Sequence, residues 1–149
     1  MSSNKLSPYL QANSTEDEID ELMVEVDHTQ DGDLHITPED YKKLAETKSY
    51  LIDNFAGPPT IKQLARIVTL NEFKLKNYFK EVFQITIHSF IIKLRMEEAN
   101  KILAEDHTVN EVALKVGYRS VSHFISMYKS YYGKTPMQAN KSKRIKKRC

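Results

Sequence analysis

The chain of 149 residues has one cysteine, and it is the last residue, so no disulfide can close within it. That fits a reducing compartment, and the cytoplasm is the expected location. No apolar run approaches the ~18 residues that a membrane-crossing helix needs. The opening MSSNKLSPYL lacks the apolar core of a signal peptide. There are only four glycines, and nowhere do they gather into a loop that could cradle phosphate. The five histidines are scattered, with no HExxH and no paired metal-ligand spacing. No catalytic constellation emerges, so neither an enzyme, a cofactor nor a metal is expected.

What is present is a soluble globular composition, 40% hydrophobic and 28% charged, with a net charge of only +2 that conceals a strong asymmetry. Residues 1–40 hold eleven acids against one base, a net of −10, and the remaining 21 bases and 9 acids give residues 41–149 a net of +12. An acidic arm joined to a basic body suggests a body that binds a polyanion. Within the arm, residues 1–14 are expected to be disordered. Ile19, Leu22, Met23 and Val26 then give a short amphipathic helix with a solvated acidic face.

Asp27 to Asp40 tests as a calcium loop, with Asp27, Thr29 and Asp31 at the first ligand positions around Gly32. The position that needs a bidentate Glu is Pro38, however, and Glu39 comes one residue late. The preferred reading is a polar loop followed by a helix start, with Thr37 as N-cap and Pro38 as first helical residue. At the other end, KSKRIKKR adds six positive charges, for phosphate contact or for solubility alone.

The chain is organised around Val109 to Pro136, which reads helix, turn, helix. Thr108 and Glu111 form a capping box, and Val109, Val112, Ala113 and Val116 mark an apolar face before Gly117 turns the chain. Ser120 caps the next helix, whose inner face is Phe124, Met127, Tyr128 and Tyr131, and Gly133 stops it. This unit occurs twice. Thr60, Leu64, Ala65 and Val68 stand 48 residues before Thr108, Val112, Ala113 and Val116. After the turn the offset becomes 49: Asn71 matches Ser120, Leu75 matches Phe124, and Tyr78-Phe79-Lys80 matches Met127-Tyr128-Lys129. One extra residue in the second turn explains the change. Thr69 stands where the repeat has Gly117, and Gln84 where it has Gly133; a non-glycine residue in a left-handed cap would be strained by ~1 kcal/mol.

The rest completes an all-α chain of two helix-turn-helix, homeodomain-like subdomains. A first helix is predicted from Pro38 to Phe55, and a long helix from Thr86 to Leu103 joins the two units. The expected organisation is an arm at 1–37, a first subdomain at 38–86, a linker helix at 87–104, a second subdomain at 105–140 and a tail at 141–149.

At these residues the chain resembles the AraC/XylS-type transcription regulators. The match runs through Val112-Ala113, Val116-Gly117-Tyr118, Ser120, Ser122-His123-Phe124, Tyr128-Lys129, Tyr132-Gly133 and Thr135-Pro136. It also takes in Pro58-Pro59-Thr60-Ile61, Leu64-Ala65-Arg66, Asn71 to Lys76, Phe79-Lys80 and Arg95-Met96, and covers roughly residues 38–137. The branch associated with iron-siderophore uptake genes is the most similar subgroup. The resemblance implies a bacterial regulator that works through RNA polymerase and, in family terms, an upstream effector-sensing domain before the acidic linker.

The second helix of each unit should face a DNA major groove. Its outward residues are Phe73, Lys76, Asn77 and Lys80 in the first unit, which map onto Ser122, Ile125, Ser126 and Lys129 in the second. Asn77 can bond adenine bidentately, Lys76 can reach guanine acceptors, and Ile125 can touch a thymine methyl. The expected base-reading set is therefore Phe73, Lys76, Asn77, Ser122, His123, Ile125 and Ser126. His123 lies nearer the flank, where a backbone contact or plain packing serves equally well. Lys80, Arg119, Lys129 and Lys134 are phosphate candidates, with the helix starts capped by Asn71 and Ser120. A linker helix would set the two reading helices about 34 Å apart, one turn of double-stranded DNA. The competing reading is an acidic calcium-binding or protein-interaction module at the N-terminus. A helical RNA-binding protein is disfavoured because no aromatic platforms are expected to be exposed.

Overall fold

A computed structural model describes residues 34–141. The acidic arm, the calcium-loop candidate up to Asp33 and the basic tail beyond Lys141 lie outside the described residues. Among the described residues there are helices and no strands: α1 (Pro38–Asn54), α2 (Ile61–Val68), α3 (Glu72–Phe83), α4 (Ile87–Ile102), α5 (Val109–Lys115), α6 (Val121–Tyr132) and a last segment, α7, at 136–141. They form two compact units that divide within α4, between Ile91 and Ile92. The loop residues Phe55–Gly57 go with the second unit. The predicted linker helix is α4, and the boundary between the two units falls within it.

In the first unit α1, α2 and α3 pack on one another. Leu44, Leu51, Leu64, Leu75, Phe79 and Phe90 are almost completely buried. The Phe79 ring lies 4.7 Å from Phe83 and 5.8 Å from Phe90, centroid to centroid and tilted. Burying a side chain of this size contributes about 1.5–3 kcal/mol, which is why the i, i+3, i+4 stripe of α3 decides how that helix is rolled. Thr37 caps α1 as expected: its Oγ1 accepts from the Asp40 amide at 3.1 Å, and Asp40 Oδ2 accepts from the Thr37 amide at 3.0 Å.

The second unit is closed by Met96, Ala99, Leu103, Val112, Val116, Phe124 and Tyr128, all buried. A ladder of tilted rings runs from Tyr118 through Phe124 and Tyr128 to Tyr132. Its polar ends are satisfied: Tyr128 donates to Asn100 Oδ1 at 3.0 Å and Tyr132 to the Met96 carbonyl at 3.1 Å. Arg95 from α4 lies over the Tyr118 ring at 4.9 Å and donates from Nε to the Phe55 carbonyl at 2.9 Å. One cation thereby holds both an aromatic face and the loop that enters the unit.

The repeat is visible in the hydrogen bonds. Leu70 N–H donates to Ala65 O and Thr69 N–H to Arg66 O. Tyr118 N–H donates to Ala113 O and Gly117 N–H to Leu114 O, each 48 residues on. The next bonds are 49 apart: the Lys74 amide donates to Asn71 Oδ1 and the His123 amide to Ser120 Oγ. The inserted residue is therefore Arg119.

Candidate nucleic-acid interface

Each unit presents its second helix from a capped start. Thr60 with Gln63, and Thr108 with Glu111, close full capping boxes on the first helices. Asn71 and Ser120 cap α3 and α6. A cap satisfies amides that would otherwise be orphaned and fixes where each helix begins. The first residues of α3 and α6 are therefore placed by the chain's own chemistry before any ligand arrives.

On α6 the expected polar face is open. Ser122, His123, Ser126 and Lys129 are exposed, as are Arg119, Ser120 and Lys134. At about 100° per residue, Ser122, Ser126 and Lys129 fall within one narrow arc. Ile125 lies to one side of that arc and His123 to the other. Ile125 is half-buried, packed against the core of its unit. The His123 ring stands edge-on to Tyr118 with centroids 5.2 Å apart, so its orientation is held from below.

On α3 the outcome is mixed. Phe73 is 40% exposed and lies outside the core. Lys76 and Lys80 are half-buried and Asn71 is exposed. Asn77 overturns the sequence expectation. It is only 4% exposed, and its Nδ2 donates to the Phe73 carbonyl one turn back at 2.8 Å. A short amide that is buried and gives one of its hydrogens to its own helix does not stand out from the surface as a base-reading group must. Its helical neighbours Phe73, Lys74, Lys80 and Glu81 are all longer, so an outward register position did not become an outward functional group. Lys74, which the sequence reading left aside, is exposed at the start of α3 with its ammonium 5.9 Å from the Tyr78 ring centroid. Its mapping onto His123 was the signal that pointed to it.

An apolar groove of about 210 Å³ opens beside α6. Its walls are Val109 from α5, Ile125 from α6, and Thr135, Pro136 and Met137 at the start of α7. Of these only Ile125 stood among the sequence candidates. Met137 is two-thirds exposed, and it lies within a capping box in which Thr135 and Gln138 bond each other's amides. Among the described residues no group of His, Cys, Asp and Glu could hold a metal ion, and no helix is long and apolar enough to cross a membrane.

Residues 64–142 match the family described as a helix-turn-helix domain, more than half of the chain. The chain belongs to the AraC-type helix-turn-helix family. The melibiose operon regulatory protein of Escherichia coli K12 is 28% identical over 99 residues, which is 66% of this chain and 33% of that protein. The chain thus spans about a third of the length of such curated relatives. Solved structures share the fold. An AraC-type transcriptional regulator from Chromobacterium violaceum superposes with a TM-score of 0.63 at 23% identity, covering 69% of this chain and 93% of that one. The DNA-binding domain of AdpA, solved in complex with a target DNA, superposes with a TM-score of 0.66 at 20% identity, covering 70% and 95%. AraC-type domains of this kind bind DNA and are not enzymes. None of these three descriptions points to the iron-siderophore branch expected from the sequence.

Proposed function

We propose that the chain reads double-stranded DNA with the outward faces of α3 and α6, each in a major groove, and serves transcription control. The observation that carries this reading is the pair of capped helix-turn-helix units at one repeat register. In each, the second helix keeps exposed polar or cationic groups, while its inner stripe is buried. Phe73, Lys76, Ser122, Ile125 and Ser126 are the base-reading candidates that remain. His123 and Lys74 flank them, and Asn77 is withdrawn. Lys80, Arg119, Lys129 and Lys134, with the helix starts at Asn71 and Ser120, take the phosphates. Contact with RNA polymerase and response to an effector belong to the same proposal and rest on family membership.

The test is duplex binding by the full chain over a range of salt. With ~5–8 phosphates neutralised, the logarithm of affinity should fall against the logarithm of salt with a slope of about −4 to −7. A flat salt response on every duplex that it binds would sink the proposal.

A further inference from the structure

The groove beside α6 is not accounted for by the helix-turn-helix core. Its walls come from three elements, and three of its residues, Thr135, Pro136 and Met137, lie beyond the recognition helix. It is apolar almost throughout, yet it sits at the edge of a polar face. Ile125, its wall on α6, is three residues after Ser122 and one before Ser126, both exposed. Lys129 follows Ile125 by one helical turn, and Lys134 directly precedes Thr135; both lysines are exposed. Any occupant must therefore be apolar where it enters the groove and anionic beside it. Duplex DNA has this pairing of chemistries. Its phosphates are anionic, and the apolar group on the floor of its major groove is the 5-methyl of thymine. The groove volume exceeds what one methyl fills, and two thymines in succession on one strand present a pair of neighbouring methyls.

We propose that Met137, together with Ile125 and Pro136, is a specificity-determining element of the second unit, and that its groove receives the 5-methyl groups of a thymine step. This rests on the DNA-binding reading above and refines it. Part of the sequence preference then comes from the start of α7 and not from the recognition helix.

The experiment uses the full chain. Binding sites are selected from a random duplex library, and each thymine of a selected site is replaced in turn by deoxyuridine, which removes only the methyl. One position, or two adjacent ones, should lose about fourfold in affinity per methyl, the usual worth of one buried methyl-sized group. Met137→Ser should abolish that penalty and leave the salt slope unchanged. Because Met137 is mostly exposed, this variant should fold like the parent. Ile125→Ala provides the second arm, checked for folding by circular dichroism. If deoxyuridine is tolerated at every thymine, or if the penalty persists in Met137→Ser and Ile125→Ala, the proposal is overturned. Unaltered DNA preference in both variants would also overturn it and return the groove to a protein partner. In each of these outcomes steep salt-dependent binding would survive, so failure here is distinct from failure of the DNA reading.

Discussion

The carbonyl group of Ala56 occupies the space that a side chain on Gly117 would need. A Cβ built on Gly117 would stand 2.9 Å from the Ala56 Cα and closer still to its oxygen, and Gly117 itself has φ +105°. Two constraints coincide at one residue: a backbone angle that L-residues rarely adopt, and backbone pressed against the missing side chain. Gly133 separates them, having φ +82° with nothing within 4 Å of its would-be Cβ. Gly133→Ala should therefore destabilise by about 1 kcal/mol, from the backbone angle alone. Gly117→Ala should lose about 2 kcal/mol or more, because the Ala56 loop must also shift. Urea unfolding of the two variants measures both; equal losses would show that the Ala56 contact carries no weight.

The first unit holds the same left-handed caps without glycine. Thr69 has φ 56° and Gln84 φ 60°. Partial compensation is local: Lys43 Nζ donates to the Thr69 carbonyl at 3.1 Å, and Gln84 Nε2 donates to the Glu81 carbonyl at 2.8 Å. The strain should still be recoverable. Gln84→Gly should raise stability by about 0.5–1 kcal/mol, and Thr69→Gly by a similar amount, since the β-branched residue gains more from relief but has a hydroxyl bond to lose. Denaturant midpoints decide the matter, and a loss of stability in both variants would refute the claim that these caps are strained.

These positions show how far the sequence could be read. The repeat register, the Thr108–Glu111 capping box, the cap at Thr60 and the strain at Gln84 were legible because each depends on chemistry within a few residues: a hydroxyl reaching three amides on, or a missing glycine. Two things were not. Phe55–Gly57 joins the second unit through Arg95 and Gly117, contacts separated by about forty residues or more in sequence that leave no local pattern. The groove at Val109, Ile125 and Met137 likewise needs three elements to be brought together before it exists.

Burial of the tyrosine ladder gives the second unit an alkaline limit. Desolvation raises the Tyr128 phenol to about 12. Burial raises Tyr132 too, helped by neighbouring Tyr131, Tyr128 and Glu97, and also raises Tyr118 against the opposing pull of Arg95. The unfolded phenol titrates near ~10. The folded state thus prefers the neutral ring, and its stabilising contribution is complete below pH ~10 and lost as pH climbs toward ~12. Denaturant midpoints measured across that interval should fall, and the fall should be shallower in Tyr128→Phe. Tyr132→Phe should flatten it as well, while losing about 0.5–1.5 kcal/mol at neutral pH with the bond to the Met96 carbonyl. An unchanged alkaline limb in both variants would remove these phenols as its cause.

Asn77 and Lys76 are adjacent on α3 but should behave as different kinds of residue. The Asn77 amide is buried and bonded to its own helix, so it is expected to contribute no base contact. Asn77→Ala replaces a residue of poor helix propensity with the best one and removes a within-helix bond, so stability should change by roughly 0.5 kcal/mol or less in either direction. Its selected DNA sites should match those of the parent. Lys76 is half-buried with a long stem, which allows the ammonium to extend from α3 to a base edge. Lys76→Ala should relax preference at one position, at about 1–3 kcal/mol of discrimination. Lys129→Ala should weaken all sequences alike and reduce the salt slope by about 1. Site selection with the three variants separates these roles. A changed preference in Asn77→Ala would mean that the amide turns outward when DNA binds, and the assignment of α3 would then have to be redrawn around it.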